Sequence, residues 1–233
     1  LAREGVNVVI NGRQPEAVSR TATELADTYG VVALPVVADV DSGEGRAALL
    51  AACPDPDILI TNNAGPRPGD FLSNDLQAWR DAVESNMLAP IMMIQAVLGG
   101  MRARKFGRIV NITSAMVKSP HPLMTLSIGA RTGLTGVTKA LSKQVVADNV
   151  TVNNLLPERF DTDRQRFMAE RAMELAGLSW DQARAQQVAS IAAGRLGRPA
   201  EFGDMCAFVC SAQAGYMSGQ NIQLDGGSYE GLI

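Results

Sequence analysis

The chain has 233 residues, enough for one large α/β domain with a sizeable core. Its 21 basic and 24 acidic residues leave a net charge of −3, a balance that offers no footing to nucleic acid or to an anionic membrane surface. No apolar run reaches the roughly 20 residues that span a bilayer, no secretory signal is visible, and three cysteines make no disulfide framework, which fits a reducing, cytoplasmic compartment.

In chain order, Leu1-Ala-Arg-Glu-Gly5 reads as a helix end with Gly5 as its C-cap, and Val6–Ile10 as a buried strand. A helix follows over about Pro15–Tyr29 and stops at Gly30. The spacing then predicts a strand at Val31–Ala38, a helix over Ser42–Cys53 and a short strand at Asp57–Thr61. Gly65–Gly69 is a Pro/Gly loop. A long helix covers Leu76–Arg104, a strand Gly107–Thr113, a second long helix Ser127–Asp148 and a strand Val150–Leu155. Residues 163–190 read as helical, Ala200–Cys210 as the last helix and Gln220–Leu224 as the last strand. The strands are apolar rather than alternating, as in a parallel sheet covered on both faces. Alternation of β and α elements implies a single doubly wound domain over residues 1–233, whose ligands bind beyond the carboxyl ends of the strands. Cys206 and Cys210 share a helix face and read as buried thiols; with one histidine in the chain, no metal site is expected.

Four segments fall at such strand ends: Asn62-Asn63-Ala64-Gly65, the run from Gly107 to Ser114, the helix start carrying Ser127 and Arg131, and Leu224-Asp225-Gly226-Gly227. With Gly194–Phe202, they resemble the short-chain dehydrogenase/reductase family over essentially the whole chain, in particular its 3-oxoacyl-acyl-carrier-protein reductases. The resemblance implies a Rossmann-type fold whose first strand and glycine-rich turn lie outside the given chain. It also implies hydride transfer between a nicotinamide and a carbonyl or alcohol carbon.

On the cofactor side, the second strand of the resembled family corresponds to the one ending in Asn11-Gly12-Arg13. An acid there would hold a ribose diol and repel a 2′-phosphate. The planar fork of Arg13 suits a phosphate instead, so NADP(H) is expected in preference to NAD(H); the plain alternative is a solvated arginine. The resemblance places Asp39 and Val40 at the adenine, although Asp39 could equally cap a helix. It places Asn63, Ala64 and Gly65 beside the ribose. Pro157-Glu158-Arg159-Phe160-Asp161-Thr162 resembles a Pro-Gly-x-x-x-Thr loop next to the nicotinamide, with Glu158 where the family has glycine and Thr162 as a carboxamide or phosphate ligand.

On the catalytic side, the resemblance makes Ser114 the residue that polarises the substrate oxygen and Asn86 the holder of a relay water. Pro90 lacks an N–H, so the Asn86 carbonyl loses its helical donor. Ser127 and Arg131 stand where the family has its Tyr and Lys, one turn apart on one helix face. A serine hydroxyl is far less acidic than a phenol, and an arginine stays charged. Arg131 could still bind the nicotinamide ribose, and the short serine should leave room above the ring. Other proton donors are His121 or Lys118, each of which could equally be an ordinary loop residue. Tyr29 and Tyr216 lie away from the site, and Tyr229 could reach a neighbouring subunit. Residues 163–196 read as a substrate lid, with Met168, Met173, Leu175 and Trp180 as pocket or core residues. Apolar stripes on the long helices and the Tyr229–Ile233 tail point to a homo-oligomer, by analogy a tetramer. Two functions remain open: an oxidoreductase with a rearranged proton donor, or a nucleotide-binding protein that has lost the reaction.

Overall fold

The computed structural model describes residues 1–232. Parallel strands alternate with covering helices, as expected. The strands are β1 (Val8–Gly12), β2 (Ala33–Val37), β3 (Ile58–Thr61), β4 (Gly107–Ile112), β5 (Val150–Pro157) and β6 (Asn221–Leu224). The helices are α1 (Pro15–Tyr29), α2 (Gly43–Ala52), α3 (Leu76–Val83), α4 (Ala89–Ala103), α5 (Thr125–Val145), α6 (Asp163–Ala176), α7 (Trp180–Val188) and α8 (Pro199–Cys210). Gly5 and Gly30 adopt the left-handed conformation that ends a helix. The first strand lies two residues later than its apolar run suggested, because Asn7 and Asn11 belong to the pairing: Asn7 accepts from the Val32 N–H, and Asn11 donates to the Val36 and Ala38 carbonyls.

The sheet is divided. β1 pairs only with β2, while β3–β4–β5–β6 form a separate four-stranded sheet. Among the described residues no ladder joins β1 to β3. Their facing edges flank an apolar cavity of about 820 Å³, lined in part by Val8, Val9, Ile58, Leu59 and Ile60.

Successive residues of a strand face opposite sides of a sheet. Ile109, Val150 and Val152 therefore pack with Ile94, Val97, Met101 and Val145 of α4 and α5. Val110 and Leu155 pack on the other face with Val209, Cys206 and Cys210 of α8. The two thiols are buried and free, as read from their spacing.

The all-apolar reading of the strands needs one correction. A polar side-chain ladder runs through the middle of the four-stranded sheet at residues directly paired in register. Thr61 donates to Asn111 at 2.6 Å, Asn111 donates to Asn154 at 3.1 Å and to Thr138 at 3.0 Å, and Asn154 donates to Asn221 at 2.8 Å. Each amide is satisfied by its neighbours, which is what makes its burial tolerable. Asn111→Ala leaves Thr61, Thr138 and Asn154 each short of a partner. It should cost about 2 kcal/mol in a denaturant titration, and a loss below about 0.5 kcal/mol would show that the ladder rearranges around the gap.

Residues Leu76–Ala103 form one continuous 28-residue helical stretch, long and apolar enough by composition to cross a membrane. Its Ile94, Val97 and Met101 lie in the core of the fold. The stretch passes through a π-turn at Glu84–Leu88, where the Ala89 N–H reaches back to the Glu84 carbonyl. The turn precedes Pro90 and carries Asn86 at its centre, so the helix meets the missing N–H with an inserted residue.

Candidate functional site

Because β3 to β6 are adjacent and parallel, the segments leaving their carboxyl ends share one rim. These are Asn62–Gly65, Thr113–Lys118, Pro157–Thr162 and Asp225–Tyr229. The rim holds most of the expected site residues.

Ser127 and Arg131 lie one turn apart on α5, and both are sealed from solvent, at 5% and 8% exposure. Arg131 spends its donors on backbone: Nη1 on the carbonyls of Ile112 (2.8 Å) and Thr113 (3.1 Å), Nη2 on that of Asn63 (3.1 Å). Its Nε reaches Ser127 Oγ at 3.3 Å. The guanidinium thus ties α5 to the ends of β3 and β4. Burial, and then the charge of Arg164, push the Arg131 pKa down to about 10, which leaves it charged at neutral pH. The room expected above the serine is not open: Arg131 folds over Ser127, and the Gly65 backbone lies close to both, since a Cβ there would stand 3.6 Å from Arg131 Nη2 and 3.7 Å from Ser127 Oγ.

Ser114 leaves β4 half-buried and accepts from the Met116 N–H at 3.2 Å, opening a single turn over Ala115–Val117. Asn86 is buried and donates to the Ala64 carbonyl at 3.2 Å, while its Oδ1 has no partner among the described residues. His121 is exposed, and its Nδ1 accepts from the Leu123 N–H at 3.3 Å.

On the cofactor side, Arg13 and Asp39 face each other at 3.8 Å across the exits of β1 and β2, both largely exposed. Asp39 is not a helix cap; Ser42 caps α2 by accepting from the Gly45 N–H. Val40 follows, half-buried at the mouth of the apolar cavity. Asp41, which the sequence reading passed over, proves to be a junction. Its carboxylate accepts from the Asn63 side chain and from the Ser85 hydroxyl. Asn63 also donates to the Ser85 carbonyl. The adenine-side turn, the end of β3 and the π-turn bearing Asn86 are thereby pinned together. Nothing local in the sequence marks Asp41, because both partners are remote.

Pro157 ends β5. The Glu158 carboxylate is met by Arg159 at 3.0 Å, so the charge brought in at the family's glycine is offset within the loop. Thr162 precedes α6 without using its hydroxyl as a cap, which leaves that oxygen available to a ligand. Gly177 divides the helical stretch after Thr162 into α6 and α7. This hairpin is held to the body by Arg184 on Asp161 (2.8 Å) and by Arg159 on the Gln187 carbonyl and Ser190 hydroxyl (both 2.6 Å). Met168, Leu175 and Trp180 are exposed on it. Tyr229 packs within its own chain, against Lys118; Ile233, at the end of the same tail, lies outside the described residues.

Residues 1–229 match the family model described as enoyl-(acyl carrier protein) reductase. The chain is 28% identical over 233 residues to the 3-oxoacyl-[acyl-carrier-protein] reductase FabG of Vibrio cholerae, covering 98% of this chain and 89% of that one. It is likewise 28% identical over 237 residues to the NADPH-dependent reductase BacG of Bacillus subtilis, covering 100% and 92%. The crystal structure of L-sorbose reductase from Gluconobacter frateurii, complexed with NADPH and L-sorbose, superposes with a TM-score of 0.94 at 25% identity, over 99% of this chain and 90% of that one. The chain belongs to the short-chain dehydrogenase/reductase family of NAD(P)-dependent oxidoreductases.

Proposed function

We propose that the protein is an NADP(H)-dependent oxidoreductase that reduces a small carbonyl compound, a 3-oxoacyl thioester or a ketone, using a proton donor other than Ser127 and Arg131. The observation that carries this reading is the half-buried Ser114 hydroxyl at the end of β4, on the same rim as Asn63–Gly65 and Thr162. The residues on that rim fit a dinucleotide. Arg13 stands at the β1 exit, largely exposed and 3.8 Å from Asp39, Ala64 and Gly65 leave the backbone bare, and the Thr162 hydroxyl does not cap its helix. The bound nicotinamide supplies the hydride. Ser114 orients and polarises the oxygen that receives the charge, and Arg131, buried behind it, holds the β3 and β4 ends in place and lends positive potential.

The commitment of Arg131 to three backbone carbonyls and to the Ser127 hydroxyl favours a second reading, a nucleotide-binding protein that has lost the reaction. Purified protein separates the two. Consumption of NADPH with a panel of ketones and 3-oxoacyl thioesters is expected; nucleotide binding without consumption would establish the second reading.

Cofactor choice is tested separately. Arg13→Ala should weaken NADPH about tenfold by calorimetry and leave NADH unchanged, and equal losses for both would remove the 2′-phosphate assignment. We also propose a homotetramer. Leu72, Leu76, Met92 and Val137 are exposed on or beside α3, α4 and α5 and would be covered in an assembly. Sedimentation as a monomer at micromolar concentration would exclude it.

A further inference from the structure

Residues 163–196 leave the rim after Thr162 and return to it at Gly197. Backbone closes the base of this excursion. The Asp161 N–H donates to the Gly197 carbonyl at 2.8 Å, and the Gly197 N–H to the Arg159 carbonyl at 3.0 Å. Phe160 packs so closely on that pair that a Cβ at Gly197 would stand 2.6 Å from its ring. Within the excursion, the Gln187 side chain of α7 donates to the Gln165 carbonyl of α6 at 2.8 Å, so the two helices move as one hairpin. Arg159 spreads its fork over the end of that hairpin, with Nη1 on the Gln187 carbonyl and Nη2 on the Ser190 hydroxyl, both at 2.6 Å. The Gln187 carbonyl lies in the last turn of α7, where carbonyls lack a helical donor and favour a cation. Arg159 Nε donates to Glu158 at 3.0 Å, which aims the fork from behind. Arg184 of α7 returns the grip on Asp161 at 2.8 Å. Arg164, in the first turn of α6, is close enough to the buried Arg131 for its charge to be felt there. The hairpin therefore begins beside the face of α5 that carries Ser127 and Arg131.

We propose that Arg159 is a positioning residue for the substrate: it latches the α6–α7 hairpin to the rim and thereby sets how tightly the carbonyl compound is held. The proposal rests on the oxidoreductase reading and adds to it a residue that acts through the hairpin. Only molecules with the hairpin in place bind substrate productively. An unlatched hairpin raises the apparent KM by the inverse of that fraction and leaves kcat at saturation as it was. The latch is built from charge-assisted bonds to two separate acceptors, so it holds one orientation of the hairpin as well as its distance from the rim.

Arg159→Ala should raise KM for acetoacetyl-N-acetylcysteamine about tenfold, with kcat within about twofold of the parent and NADPH affinity by calorimetry unchanged. Arg159→Lys, whose ammonium lacks the fork that spans both acceptors, should recover part of the loss. Ser190→Ala removes one acceptor from the other side of the latch and should raise KM about threefold. A readout without turnover is amide hydrogen exchange: Arg159→Ala should speed exchange in α6 and α7 about tenfold and leave β4 and β5 as in the parent. A fall in kcat at unchanged KM, or exchange in α6 and α7 equal to the parent's, overturns the assignment. If Arg159→Ala loosens β4 and β5 as well, Ser190→Ala decides by the same two measurements, since Ser190 is exposed and outside the core. A parent protein that consumes no NADPH with ketones or thioesters overturns the oxidoreductase reading and the role in substrate binding with it, whereas the exchange measurement still decides the latch.

Discussion

Ser127→Tyr combined with Arg131→Lys should raise NADPH-dependent reduction of simple ketones about 10²–10⁴-fold, the range that general acid–base catalysis supplies. Ser114 and Asn86 already stand beside α5, and residues 127 and 131 share its inner face. The phenol needs space, and the space is what Arg131 now fills by folding over Ser127. Replacing both residues together is therefore essential: Ser127→Tyr alone would drive the ring against the guanidinium. Steady-state kinetics decide the matter. No gain in a double variant that still binds NADPH would mean that the helix face has been rebuilt around the arginine too thoroughly to return.

Arg131→Met should destabilise the fold by about 3 kcal/mol, a fall in Tm of roughly 6–12 °C for a domain of this size. Three carbonyls from two strand ends and one serine hydroxyl lose their shared donor at once. Hydrogen bonds from a charged group are worth more than neutral ones, and the buried acceptors cannot turn to water. Some of the loss is recovered because a buried charge is no longer desolvated, which is why the figure is well below the sum of four bonds. A lysine cannot replace the arginine here, since one ammonium lacks the planar fork that spans both strand ends. The double variant should accordingly be less stable than the parent and is best assayed at low temperature. Thermal unfolding of Arg131→Met within about 2 °C of the parent would show that other donors reach those carbonyls.

Local signals carried much of the fold. Pro15, Ser42 and the glycines at 5, 30 and 177 mark helix ends through their own backbone chemistry, and the structure uses each in that way. The segments at the rim were also readable, since a strand end followed by a turn is a feature of neighbouring residues. What escaped the sequence depends on residues far apart in the chain. The Arg131 carbonyl cluster joins three elements, and Asp41 meets Asn63 and Ser85 only in the folded state. Tyr229 meets Lys118 across more than a hundred residues. The Asn111–Asn154–Asn221 ladder exists only in register, so an asparagine in an apolar run gives no hint of its partners. Pro90 did announce a missing N–H. The response of the helix, one inserted residue at Asn86, was not legible from it.

The amide ladder across β3 to β6 also acts as a check on strand register. A slip of one residue in β6 would carry Asn221 to the opposite face and leave the buried Asn154 amide without its acceptor. A misregistered sheet therefore loses a hydrogen bond as well as packing, and the polar residues in the middle of the core help to specify one fold rather than merely to tolerate it.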